Sequence, residues 1–148
     1  MREIVVTHLN NEDEIRSILI YFSPYFHNQA INNIETIGKL SKKFHSNGHV
    51  IYATEDNLPL GFCAYYANDY TNYNAYLSMI IVVSAAQGMG IGKTLLKKVI
   101  DDCRIKGMRY IRLEVAKDNN LAICFYEKNG FHFEREASQS SCQYVLAI

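Results

Sequence analysis

A chain of 148 residues suffices for one domain with a sizeable core, and 49% hydrophobic with 20% charged residues describes a globular protein. Lys plus Arg number 15 and Asp plus Glu 15, so the formal net charge is zero, without the basic excess of a nucleic-acid binder. No apolar run approaches the ~18 residues of a membrane span, and Met1-Arg2-Glu3-Ile4-Val5-Val6-Thr7-His8 turns polar too soon for a secretion signal.

Residues 3–9 read as a first strand. Asn10 and Asn11 can cap a helix whose first turn carries Glu12, Asp13 and Glu14, and whose apolar stripe is Ile15, Ile18, Leu19 and Phe22. Pro24 stops it, and Tyr25-Phe26-His27-Asn28-Gln29 follows as an aromatic, polar loop. The spacing of Ile34, Ile37, Leu40 and Phe44 predicts a second helix over 34–44, closed by Asn47-Gly48. Lys39, Lys42 and Lys43 form its solvated face. Three strands follow, over 49–54, 60–67 and 75–83, separated by turns at 55–59 and 68–74. Connections this short imply an antiparallel meander.

A glycine-rich turn then opens a helix with the seam Ile91, Leu95, Val99 and Cys103, ended by Gly107. Residues 110–115 alternate, Ile111, Leu113 and Val115 to one face, Tyr110, Arg112 and Glu114 to the other. Lys117-Asp118-Asn119-Asn120 leads into a helix carrying Leu121, Ala122, Phe125 and Tyr126, which Asn129-Gly130 terminates. Residues 131–135 and 143–147 make two last strands around a Ser/Gln-rich turn. The sum is one α/β (α+β) domain over 1–148. Cys63, Cys103, Cys124 and Cys142 lie far apart without a CxxC pair, which predicts reduced thiols in a cytoplasmic core. His45 and His49 flank a turn, so no metal site is expected.

The turn Gln87-Gly88-Met89-Gly90-Ile91-Gly92-Lys93-Thr94 offers bare backbone N–H groups at the positive end of a helix, where an anion can settle. A Walker A loop would need its first glycine at position 87, which is Gln87. The dinucleotide fingerprint G-x-G-x-x-G fails because the third glycine comes one residue early. The pattern that fits is Q-x-x-G-x-G, Gln87 to Gly92, and a second follows in Asn119-x-x-Ala122-x-x-Phe125-Tyr126-Glu127-Lys128-Asn129-Gly130-Phe131. The two resemble the paired signatures of the GCN5-related N-acetyltransferase (GNAT) superfamily, over roughly residues 75 to 131. That resemblance implies a mixed, mostly antiparallel central sheet flanked by helices in three layers. It also implies acetyl-CoA as co-substrate, with no metal.

By resemblance, the amides of Gly88, Met89, Gly90, Ile91 and Gly92, with Gln87 and Lys93, hold the pyrophosphate. The backbone of Ile80, Ile81 and Val82 pairs with the pantetheine arm. Asn119 bonds the pantetheine or caps its helix, and the two roles are compatible. Tyr126 is similar to the family's general acid, and a phenol of pKa ~10 is protonated at neutral pH. No carboxylate lies between Ala75 and Gly92, so the candidate base is Glu114. The spacing from Leu113-Glu114-Val115 to Tyr126 resembles the ribosomal-protein alanine N-acetyltransferases, where the glutamate acts as base through water. A surface ion pair with Arg112 or with a charge on a neighbouring strand is the other reading of Glu114.

The family grips its acceptor with the loop between the first two helices and with the last hairpin, here Tyr25, Phe26 and His27 and residues 137–142. Tyr65, Tyr66 and Tyr76 are further candidates for the groove. Ala64-Tyr65-Tyr66-Ala67-Asn68-Asp69 resembles GNAT proteins of surface-polysaccharide pathways and hints at an amino sugar. Three hypotheses stand: acetylation of a small-molecule amine, amino acid or amino sugar; acetylation of a protein N-terminus or lysine; or a coenzyme A-binding module without catalysis. The resemblance allows a homodimer, which no residue of the chain specifies.

Overall fold

The computed structural model describes residues 3–148; Met1 and Arg2, which open the segment weighed above as a secretion signal, lie outside them. Seven strands form one sheet: β1 (Ile4–Leu9), β2 (His49–Glu55), β3 (Leu58–Asp69), β4 (Asn74–Val82), β5 (Tyr110–Ala116), β6 (His132–Glu136) and β7 (Ser141–Ala147). Their order is β1-β2-β3-β4-β5-β7-β6, and every pairing is antiparallel except β4 with β5. Helices α1 (Glu12–Phe22) and α2 (Ile34–Asn47) cover one face, and α3 (Ile91–Ile105) and α4 (Asn120–Lys128) the other. The expected three layers are present.

Each layer follows from a stripe in the sequence. Ile15, Leu19 and Phe22 of α1 and Ile37 and Phe44 of α2 are buried against Val50, Phe62 and Ala64. On the other face Ile91, Leu95, Leu96, Val99 and Cys103 of α3 pack on Cys63, Leu77, Ile111 and Leu113. Fully burying a side chain such as Leu19 or Phe62 stabilises by about 1.5–3 kcal/mol. Ile34 departs from its expected stripe. It stands at the first position of α2, before the helix reaches the sheet, and is 87% exposed.

The hairpins are tighter than the composition suggests. Asp56 and Asn57 both take positive φ, so two residues complete the β2–β3 turn, and Leu58 and Pro59 are already in strand β3. Likewise β3 runs on to Asp69, and α2 runs past Phe44 to Asn47. The last strand begins at Ser141, two residues before the expected start. Among the described residues, no helix is long and apolar enough to cross a membrane, and no cluster of three metal-ligating side chains occurs.

Two departures from regular pairing shape the middle of the sheet. In β4, Met79 faces Ala64 while Leu77 faces the next residue, Tyr65, so Ser78 is one residue extra. This bulge resets the alternation, and Leu77 and Ile80 both point to the α3/α4 face. Then β4 and β5 part. Only Asn74, Ala75 and Tyr76 pair with Tyr110, Ile111 and Arg112. Beyond them β4 stays bonded to β3, and β5 to β7, so a wedge opens between the two central strands.

Candidate active site

The wedge leaves the outer backbone edge of β4, from Leu77 to Val82, without a strand partner. Leu77 is buried, but Ile80, Ile81 and Val82 are only half-buried, although they lie at the centre of the sheet. Unpaired peptide groups beside apolar side chains are the surface on which an extended ligand can add itself as a strand. Ile80, Ile81 and Val82 thus lie along this open edge.

At the open end of the wedge stands the N-terminus of α3. The chain leaves β4 through a 3₁₀ turn, Ser84–Ala86, and reaches the helix through Gln87, Gly88, Met89 and Gly90. The other three helices are capped by asparagine side chains: Asn11 accepts from the Asp13 and Glu14 N–H groups, Asn33 from Thr36, and Asn119 from Ala122. Helix α3 has no such cap. Its cap position is Gly90, in the left-handed conformation at φ 79°, and Gly88 also has positive φ. The Met89 amide is taken by the Ala86 carbonyl. Among the described residues, the amides of Gly88, Gly90, Ile91, Gly92 and Lys93 donate to no protein acceptor. Free donors at the positive end of a 15-residue helix, with the exposed Lys93 beside them, fit a pyrophosphate.

Two residues of the turn have other work. The Gln87 amide reaches back to the Val82 carbonyl at 3.5 Å and braces the end of β4. Gly92 has no positive φ; a Cβ there would lie 3.0 Å from the Phe125 ring. The third glycine of the signature therefore admits α4 against the start of α3, and only Gly88 and Gly90 use the permissive backbone.

That contact fixes the helix carrying Tyr126. Its ring packs between Phe125 and Phe131, and the residue is 8% exposed. Burial pushes its phenol well above the ordinary tyrosine range. The hydroxyl has no hydrogen-bond partner among the described residues, so its proton is free for a bound group. Asn119 caps α4 at 3.3 Å.

On the opposite face of the sheet, the alternation of β5 places Tyr110, Arg112 and Glu114 together. The ion pair weighed for Glu114 does not form. Arg112 is held by both oxygens of Glu134, at 2.9 and 3.0 Å, and by Asn74 at 2.9 Å. The Glu114 carboxylate accepts instead from the Ser141 hydroxyl at 3.1 Å, and its side chain is exposed. Tyr76, at the vertex of the wedge, sets its phenol oxygen against the Glu114 main-chain N–H. Burial and the Glu114 charge both raise the Tyr76 phenol, and it is also close enough to interact with Tyr126. Base candidate and acid candidate thus approach the same vertex.

The expected acceptor loop divides. Tyr25 and His27 are exposed, but Phe26 is 3% exposed and belongs to the α1/α2 core. It anchors the loop and cannot meet a substrate. His27 reaches Asp118 at 3.1 Å, tying this loop to the β5–α4 connection. Tyr66 lies beside Tyr76 on the Glu114 face. Tyr65 lies on the other, buried, with its hydroxyl donating to Asp102 at 2.7 Å, and is no groove residue. Asp118 is absent from the sequence-based candidates, and Ser141 enters them only as part of the 137–142 hairpin, with no link to Glu114. Both contacts, Ser141 with Glu114 and His27 with Asp118, arise only through the fold.

The model of the acetyltransferase (GNAT) family matches residues 10–131, which takes in the wedge, the uncapped helix and Tyr126. The chain belongs to this family. It is 36% identical over 80 residues to the [ribosomal protein bS18]-alanine N-acetyltransferase of Haemophilus influenzae, covering 53% of the chain and 51% of that protein. With the thialysine N-epsilon-acetyltransferase of Mus musculus it shares 32% over 98 residues, covering 57% and 58%. The matched stretches span between 36% and 58% of the curated relatives' own lengths. The PaiA N-acetyltransferase of Thermoplasma acidophilum, solved with coenzyme A, shares the fold at TM-score 0.76 and 20% identity, over 97% of this chain and 99% of that one. The GNAT architecture anticipated from the two signatures is therefore that of the described residues.

Proposed function

We propose that the protein transfers the acetyl group of acetyl-CoA to a primary amine of a small molecule: an amine, an amino acid or an amino sugar. The observation that carries this reading is the uncapped N-terminus of α3 opening onto the unpaired edge of β4. Together they supply a charged cradle and a strand-like slot in one line. The coenzyme A complex of the PaiA enzyme supports the choice of ligand. The free amides from Gly88 to Lys93 bind the pyrophosphate, and the Ile80, Ile81 and Val82 backbone receives the pantetheine arm. Acetyl-CoA supplies the activated thioester, and no metal is needed to polarise it.

Two protons must leave the nitrogen and one must reach the sulfur. At neutral pH an amine of pKa ~8–10 is mostly ammonium and cannot attack. Glu114 accepts its first proton through water, and the freed nitrogen forms the new C–N bond as the C–S bond breaks. Tyr126 donates its proton to the departing sulfur, and the second proton, shed by the acylated nitrogen, returns Tyr126 to its phenol form through water. Tyr25, His27 and Tyr76 line the acceptor side, with Phe26 behind them. The His27–Asp118 link ties the α1–α2 loop to the β5–α4 connection, and a loop held in this way suits a compact acceptor. A second reading, acetylation of a protein N-terminus or lysine, is favoured by the similarity to the Haemophilus influenzae enzyme, a ribosomal-protein alanine N-acetyltransferase.

Thiol release from acetyl-CoA, measured over spermidine, tyramine, lysine, glucosamine and an alanyl peptide, separates the readings. Preference for one of the four small amines supports the proposal. Preference for the peptide selects the second reading, and coenzyme A binding without release for any amine leaves a binding module.

A further inference from the structure

Glu114 stands on β5 where that strand parts from β4, and its immediate support comes from β7. Ser141 opens β7, opposite Ala116, so it sits diagonally across from Glu114 on the same face of the sheet. It is 7% exposed, although it borders an exposed turn. Its hydroxyl has one proton, and that proton goes to Oε2 of Glu114 at 3.1 Å. The contact between the Ser141 and Ser138 hydroxyls, 2.7 Å long, must therefore have Ser138 as donor.

The turn is rigid for a stretch of such small residues. The N–H groups of Ala137 and Ser138 both donate to the Ser141 carbonyl, at 3.0 and 3.2 Å. The Ser138 hydroxyl in turn accepts from the Ser140 N–H at 3.2 Å, and the Lys117 N–H donates to the Ser140 carbonyl at 2.8 Å. The backbone that carries Ser141 is thus held in place, and its hydroxyl oxygen is met by the Ser138 hydroxyl on one side and by Glu114 on the other. An exposed glutamate on a strand would ordinarily sample several rotamers. Here Oε2 is tied to Ser141, and Oε1 has no hydrogen-bond partner among the described residues.

We infer that Ser141, backed by Ser138, is a positioning residue that holds the Glu114 carboxylate with one oxygen left to accept the acceptor amine's proton from the relaying water. This rests on the reading of Glu114 as the base. A base tied at Oε2 delivers its open oxygen in one direction, so less conformational freedom is lost as the proton moves. The residue acts through Glu114 alone and touches neither substrate.

A double-mutant cycle tests it, with acetyl-CoA and whichever of the five amines above turns over fastest. Ser141→Ala is expected to lower kcat about tenfold, the loss of one hydrogen bond to a charged group. The affinity for coenzyme A by calorimetry and the Tm should stay as in the parent, and Ser141→Thr should restore most of the rate. In the Glu114→Gln background, Ser141→Ala should change the rate less than about twofold, because its effect has already been removed. An equal tenfold loss in both backgrounds would show a merely structural serine, and no loss in the parent would show an idle one; either overturns the inference. Full activity of Glu114→Gln alone overturns the base assignment first, and the inference with it.

Discussion

Replacing Tyr126 by phenylalanine removes one oxygen from a site where the structure says nothing else depends on it. The ring is held by Phe125 and Phe131, contacts that phenylalanine keeps. No protein acceptor loses a donor, so stability should change by no more than about 0.5 kcal/mol, a shift in Tm of about 1–3 °C. Burial raises the phenol above its ordinary pKa of ~10, so at neutral pH Tyr126 carries its proton. That suits a donor. A positioned general acid contributes about 10²- to 10⁴-fold, so kcat for thiol release should fall by at least about a hundredfold, roughly 3 kcal/mol of barrier. The affinity for coenzyme A, measured by calorimetry, should be little changed. A Tyr126→Phe protein that turns over within about twofold of the parent would refute the assignment, since a sulfur protonated from water has no need of this side chain.

The glycines of the turn give opposite tests of one segment. Gly92→Ala would gain up to about 1 kcal/mol by helix propensity alone, but its Cβ meets the Phe125 ring at 3.0 Å. Overpacking of about 1–3 kcal/mol should win, and both Tm and turnover should fall; a raised Tm would show that α4 is not seated as described. At Gly90 nothing lies within 4 Å of an added Cβ, but φ is 79°. Gly90→Ala should therefore cost about 1 kcal/mol through backbone strain and weaken coenzyme A binding about tenfold as the free amides lose their alignment; unchanged affinity would place the anion elsewhere. Glu134 supplies a pH signature. The Arg112 guanidinium and the Gln143 amide hold its carboxyl down at about 2, from an ordinary 4.5. Its stabilisation is present above the ordinary value and is lost as pH falls through about 2. Because the pair is partly exposed, screening leaves about 1 kcal/mol. Acid unfolding followed by circular dichroism should shift accordingly, and Glu134→Gln should remove that part of the slope; an unaltered acid limb would mean the pair adds nothing.

Much of this was legible in the sequence, and the reasons are specific. The stripe from Ile91 to Cys103 and the alternation at Tyr110 to Val115 report burial directly, so the helix and the strand could be read with their faces. The uncapped helix was legible because three glycines replace the asparagine that opens each of the others. The wedge was not, because it depends on how β4 and β5 diverge after Tyr76, and neither strand records its neighbour in its own pattern. Phe26 was misjudged as a groove residue because an aromatic in a polar loop looks exposed, whereas the fold turns it into the α1/α2 core. The partners of Glu114 were hidden for a related reason. Arg112 is the near charge in sequence, but the β5–β7–β6 pairing delivers Glu134 to Arg112 and Ser141 to Glu114.

The most direct measurement is thiol release from acetyl-CoA with and without an amine, with the amine product weighed by mass spectrometry. The account predicts release that depends on the amine and a product heavier by one acetyl group on nitrogen. Tight binding of coenzyme A with no amine-dependent release across the panel would contradict it.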